Sequence, residues 1–387
     1  MKITSVKGIQ LRCPCDEIHD ALSTSTARQA FLIRVDTDKG IWGIGEAFSF
    51  GAPLNVLQAL LDYQISPIIL SKEAENIEEL WQTMYWRTLA NGRRGLTMAV
   101  ISGIDTALWD ILGKAAHMPI SHLLGASSNK VPTYASGGFY APGKGLDGLQ
   151  QELYGYRKKG YTSAKIKIGR TNTNVFLKYM ANQKDTVSTE EDWRRIQAAH
   201  EIMKDGTLMV DTNASWTADQ VIQNTPRLLD TGVQVIEEPL PFEDIAGYRK
   251  IAHAAPELIT AGCETQQGLS NFNHLMTENL IDILQPDVGW AGGISEVKKI
   301  GTAALTAGKK ISLHCFGSAI LFATSLQVAA SMTNTIAMES EENPNPLKTG
   351  ILKTPFQTDA AMNFLVPDSP GFGIYIDWDC VEKYVVK

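Results

Sequence analysis

The spacing of the hydrophobic positions changes twice along this chain, and each change marks a different predicted structure. Up to about residue 50, short apolar runs bounded by turn residues predict a meander of three strands, over 2–11, 30–36 and 40–46, with a turn at 37–40. The polar segment 15–28 between the first two strands is predicted to be a surface loop, with a lid over a site as the alternative.

The hydrophobic positions between 54 and 125 recur at helical spacing instead. Ile101, Ile104, Leu108 and Ile111 lie three or four residues apart, which predicts an amphipathic helix with one apolar stripe. Strands followed by helices over a stretch of this length predict a small α+β domain that covers residues 1–125.

After Gly125 the pattern changes again, to short apolar strands that alternate with helical stretches. Such alternation predicts a parallel sheet built from βα units. Eight strands are predicted, which favours a closed barrel, over 131–136, 163–168, 208–212, 234–237, 258–261, 281–285, 310–314 and 335–339. An open doubly wound sheet is the competing fold, but the chain lacks the G-x-G-x-x-G pattern of dinucleotide-binding sheets. The barrel is predicted over 126–365, and 366–387 is predicted to be a tail that returns to the first domain.

Composition and charge narrow the class of protein. With 44% apolar and 20% charged residues, the chain is typical of a globular protein, and no apolar run approaches the roughly 18 residues of a membrane helix. The net charge of -7, without a basic stripe, argues against nucleic-acid binding. The N-terminus has no signal-peptide core, and the five scattered cysteines favour reduced thiols, so a cytoplasmic location is expected.

Polar residues interrupt the apolar pattern at the end of nearly every predicted barrel strand. The carboxyl ends of barrel strands form the face on which active sites of such barrels lie. From residue 211 onward these residues follow each other at intervals of 23 to 27 positions, the length of one βα unit. A single acid at such a position would be explained as a helix N-cap, but six in phase indicate a shared site. The residues are Lys165, Lys167, Asp211, Glu237, Glu264, Asp287, His314 and Glu339.

Three acids on successive strands, Asp211, Glu237 and Glu264, are expected to form an oxygen-rich cluster. Converging carboxylates repel one another, and oxygen ligands suit a hard divalent cation such as Mg²⁺ rather than zinc. Since strand side chains alternate, Glu237 and Glu238 should point to opposite sides, so that only one reaches the metal. Asn213 should share the side of Asp211 and contact the site.

Two further pairs carry candidate acid and base groups. Lys165 and Lys167 project from the same side of one strand, where the charge of one lowers the pKa of the other and favours a base. The alternative is that both lysines lie on the solvated face of an edge strand. Asp287 and His314 end adjacent strands, where a carboxylate can fix the imidazole tautomer and raise its basicity.

These motifs resemble the enolase superfamily and, within it, the mandelate racemase subgroup. The resemblance spans nearly the whole chain and rests on Lys-x-Lys at 165–167, Asp-x-Asn at 211–213, Ile-Glu-Glu-Pro at 236–239, Glu264, Gln-Pro-Asp at 285–287, His314, Asn-Pro-Leu at 345–347, the helix 99–114 and the Pro-Asp-x-Pro-Gly-x-Gly tail at 367–373. It implies an α/β fold, a modified (β/α)7β TIM-type barrel with an α+β N-terminal capping domain that the C-terminal tail completes. It also implies a homo-oligomer, from a dimer to an octamer.

The resemblance further implies roles for the residues at the strand ends. One Mg²⁺ per subunit would bind to Asp211, Glu237 and Glu264. Lys167 would be the base on one face of a small carboxylate substrate, and His314, oriented by Asp287, the acid or base on the other. Lys165 and Glu339 would act at the substrate carboxylate. Further contacts to the substrate are expected from Asn213, Ser136, His19 and Arg28.

The implied chemistry is abstraction of the proton α to a carboxylate, and dehydration of a sugar acid, an aldonate or an aldarate, is the favoured outcome. Mandelate racemase has an acid shortly after its histidine, and none follows His314 here, which argues against that specific activity. Polar cap residues, at 23–26, Arg28, Arg93 and Arg94, suit a polyhydroxy substrate. Racemisation or epimerisation of a 2-hydroxy acid is the alternative, and acid binding without catalysis a more distant one.

The sequence departs from the family pattern at two further places. The residue directly before Glu264 is Cys263, where the family often has glycine. A polar stretch, 170–190, lengthens the interval between Lys167 and Asp211, and the sequence suggests no role for it.

Overall fold

The computed structural model describes residues 1–126, 128–180 and 182–386. The N-terminal capping domain opens with an antiparallel sheet in the order β1 (Ile3–His19), β2 (Thr24–Thr37), β3 (Trp42–Ala47). Segment 15–28 is therefore not a loop, because β1 and β2 continue through it as a two-stranded ribbon in which His19 pairs with Thr24. The prediction was wrong because such a ribbon satisfies its own backbone hydrogen bonds and needs no apolar run.

The helices of the capping domain follow the sheet along the chain, and some of them pack against it. They are α1 (Leu54–Ala59), a π-helical stretch (Leu60–Ile65), α2 (Ser66–Ile69), α3 (Ile77–Gly92), α4 (Leu96–Ala115) and α5 (Ile120–Leu123).

Helix α4 is the centre of the capping domain. The sequence predicts one buried stripe on it, yet nearly its whole circumference is buried, because β3 packs on one side and a barrel helix (Gly293–Thr306) on another. The helix approaches β3 so closely that a Cβ at Gly45 would lie 2.0 Å from the Gly103 oxygen. Helix α4 is also long and apolar enough to span a membrane, but 83% of its most apolar window is buried inside the protein, as expected of a core helix.

Eight parallel strands form a closed barrel, which confirms the predicted fold. A short strand, β4 (Lys130–Val131), precedes them; the barrel strands are β5 (Thr133–Gly137), β6 (Ser163–Lys167), β7 (Thr207–Asp211), β8 (Val233–Glu237), β9 (Ile259–Gly262), β10 (Ile283–Leu284), β11 (Lys310–Leu313) and β12 (Thr335–Glu341). Seven helices connect them in the described part of the chain: α6 (Leu146–Lys159), α7 (Thr189–Met203), α8 (Ala218–Asp230), α9 (Ile245–Ala254), α10 (Leu269–Thr277), α11 (Gly293–Thr306) and α12 (Ala319–Ala330). A 3₁₀ turn (Leu177–Tyr179) precedes α7. The architecture is thus a (β/α)7β barrel.

The residues after the last barrel strand lead back to the capping domain. They form α13 (Pro346–Thr349), β13 (Phe364–Leu365), which pairs with β4, and α14 (Trp378–Glu382). The Val386 N–H donates to the Gln10 oxygen at 2.9 Å, and the Trp378 ring packs edge-on against Trp42 with 5.9 Å between centroids. The tail therefore contacts both β1 and β3.

Two carboxylates of the capping domain cap helices of the barrel. Glu46 of β3 accepts hydrogen bonds from the N–H groups of Ser318 (3.1 Å) and Leu321 (3.2 Å) at the start of α12. Asp105 of α4 accepts from the Ser295 N–H (3.0 Å) and hydroxyl (2.6 Å) in the first turn of α11. The first N–H groups of a helix have no partner within it and attract negative charge, so these contacts fix the cap on the barrel.

The Glu46 contact gives stability a pH dependence. Burial raises the pKa of Glu46 to about 7 in the folded protein, despite its hydrogen bonds from Ser318 and Leu321. A raised folded pKa contributes stability that is complete below the unfolded pKa and is lost as pH rises through about 7. Between pH 5 and pH 8 we expect the free energy of unfolding of wild type, minus that of Glu46→Gln, to fall by about 2–3 kcal/mol. Urea denaturation at both pH values measures this difference.

The control for this measurement is Glu257→Gln, which removes one charge from an exposed side chain. The free energy of unfolding of wild type, minus that of Glu257→Gln, should be the same at pH 5 and pH 8. A Glu46→Gln difference that also stays constant would contradict the buried, titrating carboxyl.

Candidate active site

The carboxyl ends of the barrel strands bring three of the predicted acids together. Asp211, Glu237 and Glu264 are buried, and one carboxylate oxygen from each lies within 4.8 Å of the other two. Asp211 and Glu237 are the last residues of β7 and β8 and are neighbours in the sheet register, whereas Glu264 follows the end of β9. The Asn213 N–H donates to an Asp211 carboxylate oxygen at 2.8 Å, which helps to orient that carboxylate.

Both lysines of β6 reach this acid cluster. Lys165 is fully buried and forms ion pairs with Glu237 and, at 2.9 Å, with Glu339. Lys167 forms an ion pair with Asp211 and lies on the wall of the cavity described below. Burial alone would lower the pKa of Lys167, but the Asp211 carboxylate raises it above its usual range, although Lys165 acts in the opposite direction. The expected lowering by Lys165 is thus outweighed, because Lys167 contacts a carboxylate directly.

His314 follows β11, three strands from Lys167 in one direction around the barrel and five in the other. Its Nδ1 lies 2.7 Å from an Asp287 oxygen, and its Nε2 lies 3.6 Å from both Glu264 and Glu339. Burial alone would lower the pKa of His314, but the Glu264, Glu339 and Asp287 carboxylates raise it to about 10. Asp287 thus holds Nδ1 and leaves Nε2 on the side of the acid cluster.

A cavity of about 590 Å³ opens over the strand ends, between the barrel and the capping domain. The cap contributes the ribbon of β1 and β2 and the loop after β3, where Phe48 and Phe50 lie 5.6 and 6.0 Å from the His314 ring, centroid to centroid. This volume suits a small-molecule ligand, and the two rings shield His314 from water. The barrel contributes Lys167, Asn213, Glu238, Glu264, His314 and Glu339.

Three residues predicted to contact substrate are not part of the cavity wall. Ser136 and Lys165 are buried side by side on β5 and β6. His19 is also buried, with Nδ1 2.8 Å from Thr24 Oγ1 and Nε2 3.1 Å from an Asp185 oxygen. The structure therefore gives His19 and Lys165 partners within the protein, whereas the buried Ser136 hydroxyl has no hydrogen-bond partner among the described residues.

The polar residues of the cap divide into two groups. Residues 23–26 and Arg28 line the cavity. Arg93 and Arg94 lie instead at a separate surface hollow between the cap helices and α10, where Arg94 contacts Asn271. Of the cap residues predicted to suit a polyhydroxy substrate, only those of the ribbon therefore line the cavity.

Sequence reasoning missed Glu238 and Gln285. Alternation places Glu238 away from the site, but its backbone enters the left-handed region (φ 41°) and its buried side chain lines the cavity. Burial raises the pKa of the Glu238 carboxyl well above its usual range, and Glu264 adds to that effect. Gln285 donates to a Glu237 oxygen at 2.6 Å, and its place in the Gln-Pro-Asp motif was the signal that could have found it.

The Cys263 departure is visible in the backbone. Cys263 has a φ of 83°, in the left-handed region that favours glycine. The chain therefore accepts local strain at this position and still places Glu264 with the other two acids.

The composition of the cluster fits a divalent cation. Its converging donors are all carboxylate oxygens, which is the donor set that Mg²⁺ prefers. The Oδ1 atom of Asn213 is buried and has no hydrogen-bond partner within the described residues, as expected of an acceptor that completes an ion site. Two lysines and one histidine face a larger number of buried carboxyl groups, those of Asp211, Glu237, Glu264, Asp287 and Glu339. With these five and the adjacent Glu238 ionised, the carboxylates exceed the three cations by three charges.

The polar stretch 170–190 has a structural role. Arg170, three residues past the end of β6, is fully buried, and its guanidinium donates to four backbone oxygens. Two belong to the tip of the ribbon, Asp20 (3.1 Å) and Ser23 (3.3 Å), and two to the stretch itself, Asn182 and Lys184 (both 3.0 Å). Arg170 therefore connects β6 to the ribbon that covers the cavity.

Replacing Arg170 should weaken ligand binding more than it slows any chemistry. In Arg170→Met the tip of the ribbon loses two donors, so the residues that it presents to the cavity lose their fixed positions. We expect KM for the best substrate to rise roughly tenfold and kcat to fall less than about threefold, with faster hydrogen exchange over 19–24. Steady-state kinetics and exchange mass spectrometry measure both.

The matched control is Arg227→Met, an arginine on α8 whose ion pair with Glu190 is exposed. This variant should have the KM, the kcat and the hydrogen exchange over 19–24 of wild type. A large loss of kcat in Arg170→Met at unchanged KM would contradict a role in holding the ribbon.

Comparison with known proteins agrees with this architecture. Residues 4–125 match the family described as mandelate racemase / muconate lactonizing enzyme, N-terminal domain, and residues 149–380 match the enolase C-terminal domain-like family. The chain belongs to the enolase superfamily.

Relatives of this enolase-superfamily chain include dehydratases and cycloisomerases. It is 35% identical to the arabinonate dehydratase of Saccharolobus solfataricus, over 91% of this chain and 90% of that protein. It is 32% identical to the D-galactarolactone cycloisomerase of Agrobacterium fabrum, over 99% of both proteins. The solved structure of the 3,6-anhydro-D-galactonate cycloisomerase from Zobellia galactanivorans has a TM-score of 0.87 at 28% identity, with 100% of both chains covered.

Proposed function

We propose that the protein is a Mg²⁺-dependent dehydratase that converts a sugar acid, an aldonate or an aldarate, to a 2-keto-3-deoxy acid. The observation that carries this proposal is a cavity with Lys167 and His314 on different sides of a carboxylate cluster. The 35% identity with an arabinonate dehydratase over 91% of the chain supports a lyase.

The chemistry needs more than a base, because the proton α to a carboxylate is a very weak acid. A positioned base contributes roughly 10²–10⁴-fold, whereas enzymes commonly reach 10⁶-fold or more. Mg²⁺ held by Asp211, Glu237 and Glu264 would supply positive charge next to the substrate carboxylate, where negative charge develops.

The protein's own groups divide the proton transfers. With Asp211 bound to Mg²⁺, Lys167 would lose the carboxylate that raises its pKa and would take the α-proton. The bond between the β-carbon and its hydroxyl then breaks as His314 donates a proton, so that water leaves. Asp287 holds Nδ1 of His314, so that a proton on Nε2 faces the acid cluster, which suits an acid. The enol that remains rearranges to the 2-keto-3-deoxy acid. The Glu339 carboxylate accepts a hydrogen bond from the Cys315 N–H at 3.0 Å and forms an ion pair with Lys165. These contacts fix the position of Glu339 on the cavity wall.

An isomerase is the second candidate. Acid and base groups on two sides of one cavity also permit reprotonation from the opposite side, and two of the relatives above are cycloisomerases. Such an enzyme would change a stereocentre or open a lactone without losing water. All five cysteines are free thiols, which supports a cytoplasmic location for either activity.

A panel of sugar acids tests the proposal. The purified protein, with MgCl₂, would be incubated with aldonates and aldarates of five and six carbons and scored for 2-keto acids as semicarbazones. Turnover of at least one acid, abolished by EDTA and restored by Mg²⁺, is the expected result. Absence of any keto product, together with racemisation of a 2-hydroxy acid, would establish the isomerase instead.

A further inference from the structure

The cap and the barrel meet at the cavity wall in a buried ion pair. Arg28 of β2 lines the cavity, is 5% exposed, and donates from Nη2 to a carboxylate oxygen of Glu341 at 2.8 Å. Its Nε donates to the Pro344 oxygen at 3.3 Å, and its guanidinium carbon lies 4.9 Å from the centroid of the Phe316 ring. Glu341 ends β12 two residues beyond Glu339, which places it roughly 6–7 Å further toward the cap.

This separation matches the length of a sugar acid. A ligand with one carboxylate at the acid cluster would bring its far end, four to five carbons away, to the level of Arg28. The chemical group at that far end is what distinguishes an aldonate, which ends in a hydroxyl, from an aldarate, which ends in a second carboxylate.

Arg28 and Glu341 form a neutral pair whose polar atoms are incompletely hydrogen-bonded. The buried Lys348 donates to the Glu341 backbone oxygen at 2.7 Å, and its charge is balanced by Glu342 at 4.0 Å. Within the described residues, Nη1 of Arg28 and one carboxylate oxygen of Glu341 are buried without hydrogen-bond partners, and so is the amide oxygen of Gln29 on the cavity wall. Glu341 does not line the cavity, so a ligand could reach only the free donor of Arg28 and the free acceptor of Gln29, which match a hydroxyl that both donates and accepts. A buried group without a partner costs about 1–3 kcal/mol, so a ligand that supplies partners is favoured.

A second carboxylate would gain little at this position. The positive charge of Arg28 is already balanced by Glu341, which would repel an anion held by the same guanidinium. Two other charged groups line this side. Arg12 is exposed, where solvent and salt screen its charge, and the Asp20 carboxylate accepts hydrogen bonds from Leu22 N–H at 2.8 Å and Ser23 N–H at 2.6 Å. Binding an aldarate would thus remove a carboxylate from water without a net opposite charge to receive it.

We propose that Arg28 and Glu341 together select aldonates over aldarates: Arg28 donates to a hydroxyl at the far end of the substrate, and Glu341 keeps that end of the cavity neutral. The inference rests on the proposed function, since it names which of two sugar acids the same site takes. Arg28 is the specificity residue, and Glu341 acts through it.

The test compares matched substrates. The Mg²⁺-loaded protein is assayed with each aldonate and with the aldarate of the same carbon configuration, and kcat/KM is measured for both. We expect the aldonate of the preferred pair to exceed its aldarate at least tenfold. An aldarate preferred over its aldonate would overturn this inference while leaving sugar-acid dehydration intact. Absence of 2-keto acid from every substrate would overturn the proposed function and this inference with it.

A charge change should shift the preference toward the aldarate. Glu341→Gln keeps a hydrogen-bond acceptor for Arg28 but leaves its charge unbalanced, so the ratio of aldarate to aldonate kcat/KM should rise at least tenfold. The double variant Arg28→Gln/Glu341→Gln is neutral again and should return the ratio to within about threefold of wild type. A merely structural role for Glu341 would lower both activities together and leave the ratio unchanged, which would overturn the inference.

The matched control is Glu342→Gln, the next residue along the chain, which loses the same charge. The Glu342 carboxylate accepts hydrogen bonds from Lys159 at 2.6 Å and from the Tyr161 hydroxyl at 2.7 Å, and lies 4.0 Å from Lys348. Neither Glu342 nor Lys348 lines the cavity. The Glu342→Gln variant should keep the wild-type ratio. If Glu341→Gln does not fold, the double variant is compared with Arg28→Gln instead. The double variant is neutral at this position, whereas Arg28→Gln leaves the negative charge of Glu341 unbalanced. An equal ratio of aldarate to aldonate kcat/KM in these two variants would overturn the inference.

Discussion

Lys167→Met should reduce kcat at least about 10³-fold, while Mg²⁺ binds the variant as tightly as wild type or more tightly. The loss of kcat follows from removing the base that takes the α-proton, since a positioned base contributes roughly 10²–10⁴-fold. The binding result follows from the ion pair between Lys167 and Asp211, in which the lysine competes for an oxygen that the metal would use. Methionine keeps most of the side-chain volume, so the barrel should fold.

Steady-state kinetics and calorimetric titration with MgCl₂ separate these two effects. Lys158→Met, which removes an exposed lysine from α6, is the control and should change neither. A Lys167→Met protein that retains more than a tenth of wild-type kcat would show that another group takes the proton.

Asp211→Asn should abolish activity by a different route, through loss of the metal. The asparagine has the same shape and can still accept a hydrogen bond from the Asn213 N–H, but it loses the charge that a Mg²⁺ ligand provides. We expect Mg²⁺ affinity to fall at least about 10²-fold and kcat at least about 10³-fold. The same titration measures the affinity, and added MgCl₂ up to tens of millimolar should recover part of the activity.

The control for Asp211→Asn is Asp219→Asn, an exposed acid near the start of α8 that pairs with Lys250. Its metal affinity and activity should equal those of wild type. Unchanged Mg²⁺ affinity in Asp211→Asn would refute the assignment of this cluster as the metal site.

The sequence predicts the barrel and its strand-end residues because both depend on local pattern. One polar residue at the end of each apolar strand recurs with the length of a βα unit, and closure of the barrel then brings those ends to one face. Asp211, Glu237 and Glu264 converge for that reason, and so do Asp287 and His314.

Contacts between distant segments could not be predicted in the same way. The ribbon of β1 and β2 satisfies its own backbone hydrogen bonds, so no apolar run reveals it, and residues 15–28 look like a loop. The role of Arg170 depends on carbonyl oxygens 12 to 150 residues away along the chain. His19 has partners from the ribbon and from the stretch 170–190, which no sequence spacing indicates.

Backbone conformation explains the remaining error. Alternation along a strand holds only while the strand continues, and Glu238 leaves it with a φ of 41°. A carboxyl group predicted to lie behind the sheet therefore lines the cavity, next to Glu264. Strand ends are where this rule fails first, and they are also where barrel active sites lie.

Removal of the α-proton by Lys167 and departure of the β-hydroxyl can both be followed by ¹H NMR of the reaction in D₂O. With Mg²⁺ and the preferred sugar acid, the account predicts a 2-keto-3-deoxy acid that carries one deuterium at C3, in a single configuration because a positioned group delivers it. Lys167→Met should give neither product nor exchange at C2. A wild-type protein that forms no keto acid and leaves the C2 proton unexchanged with every sugar acid tested would contradict the account.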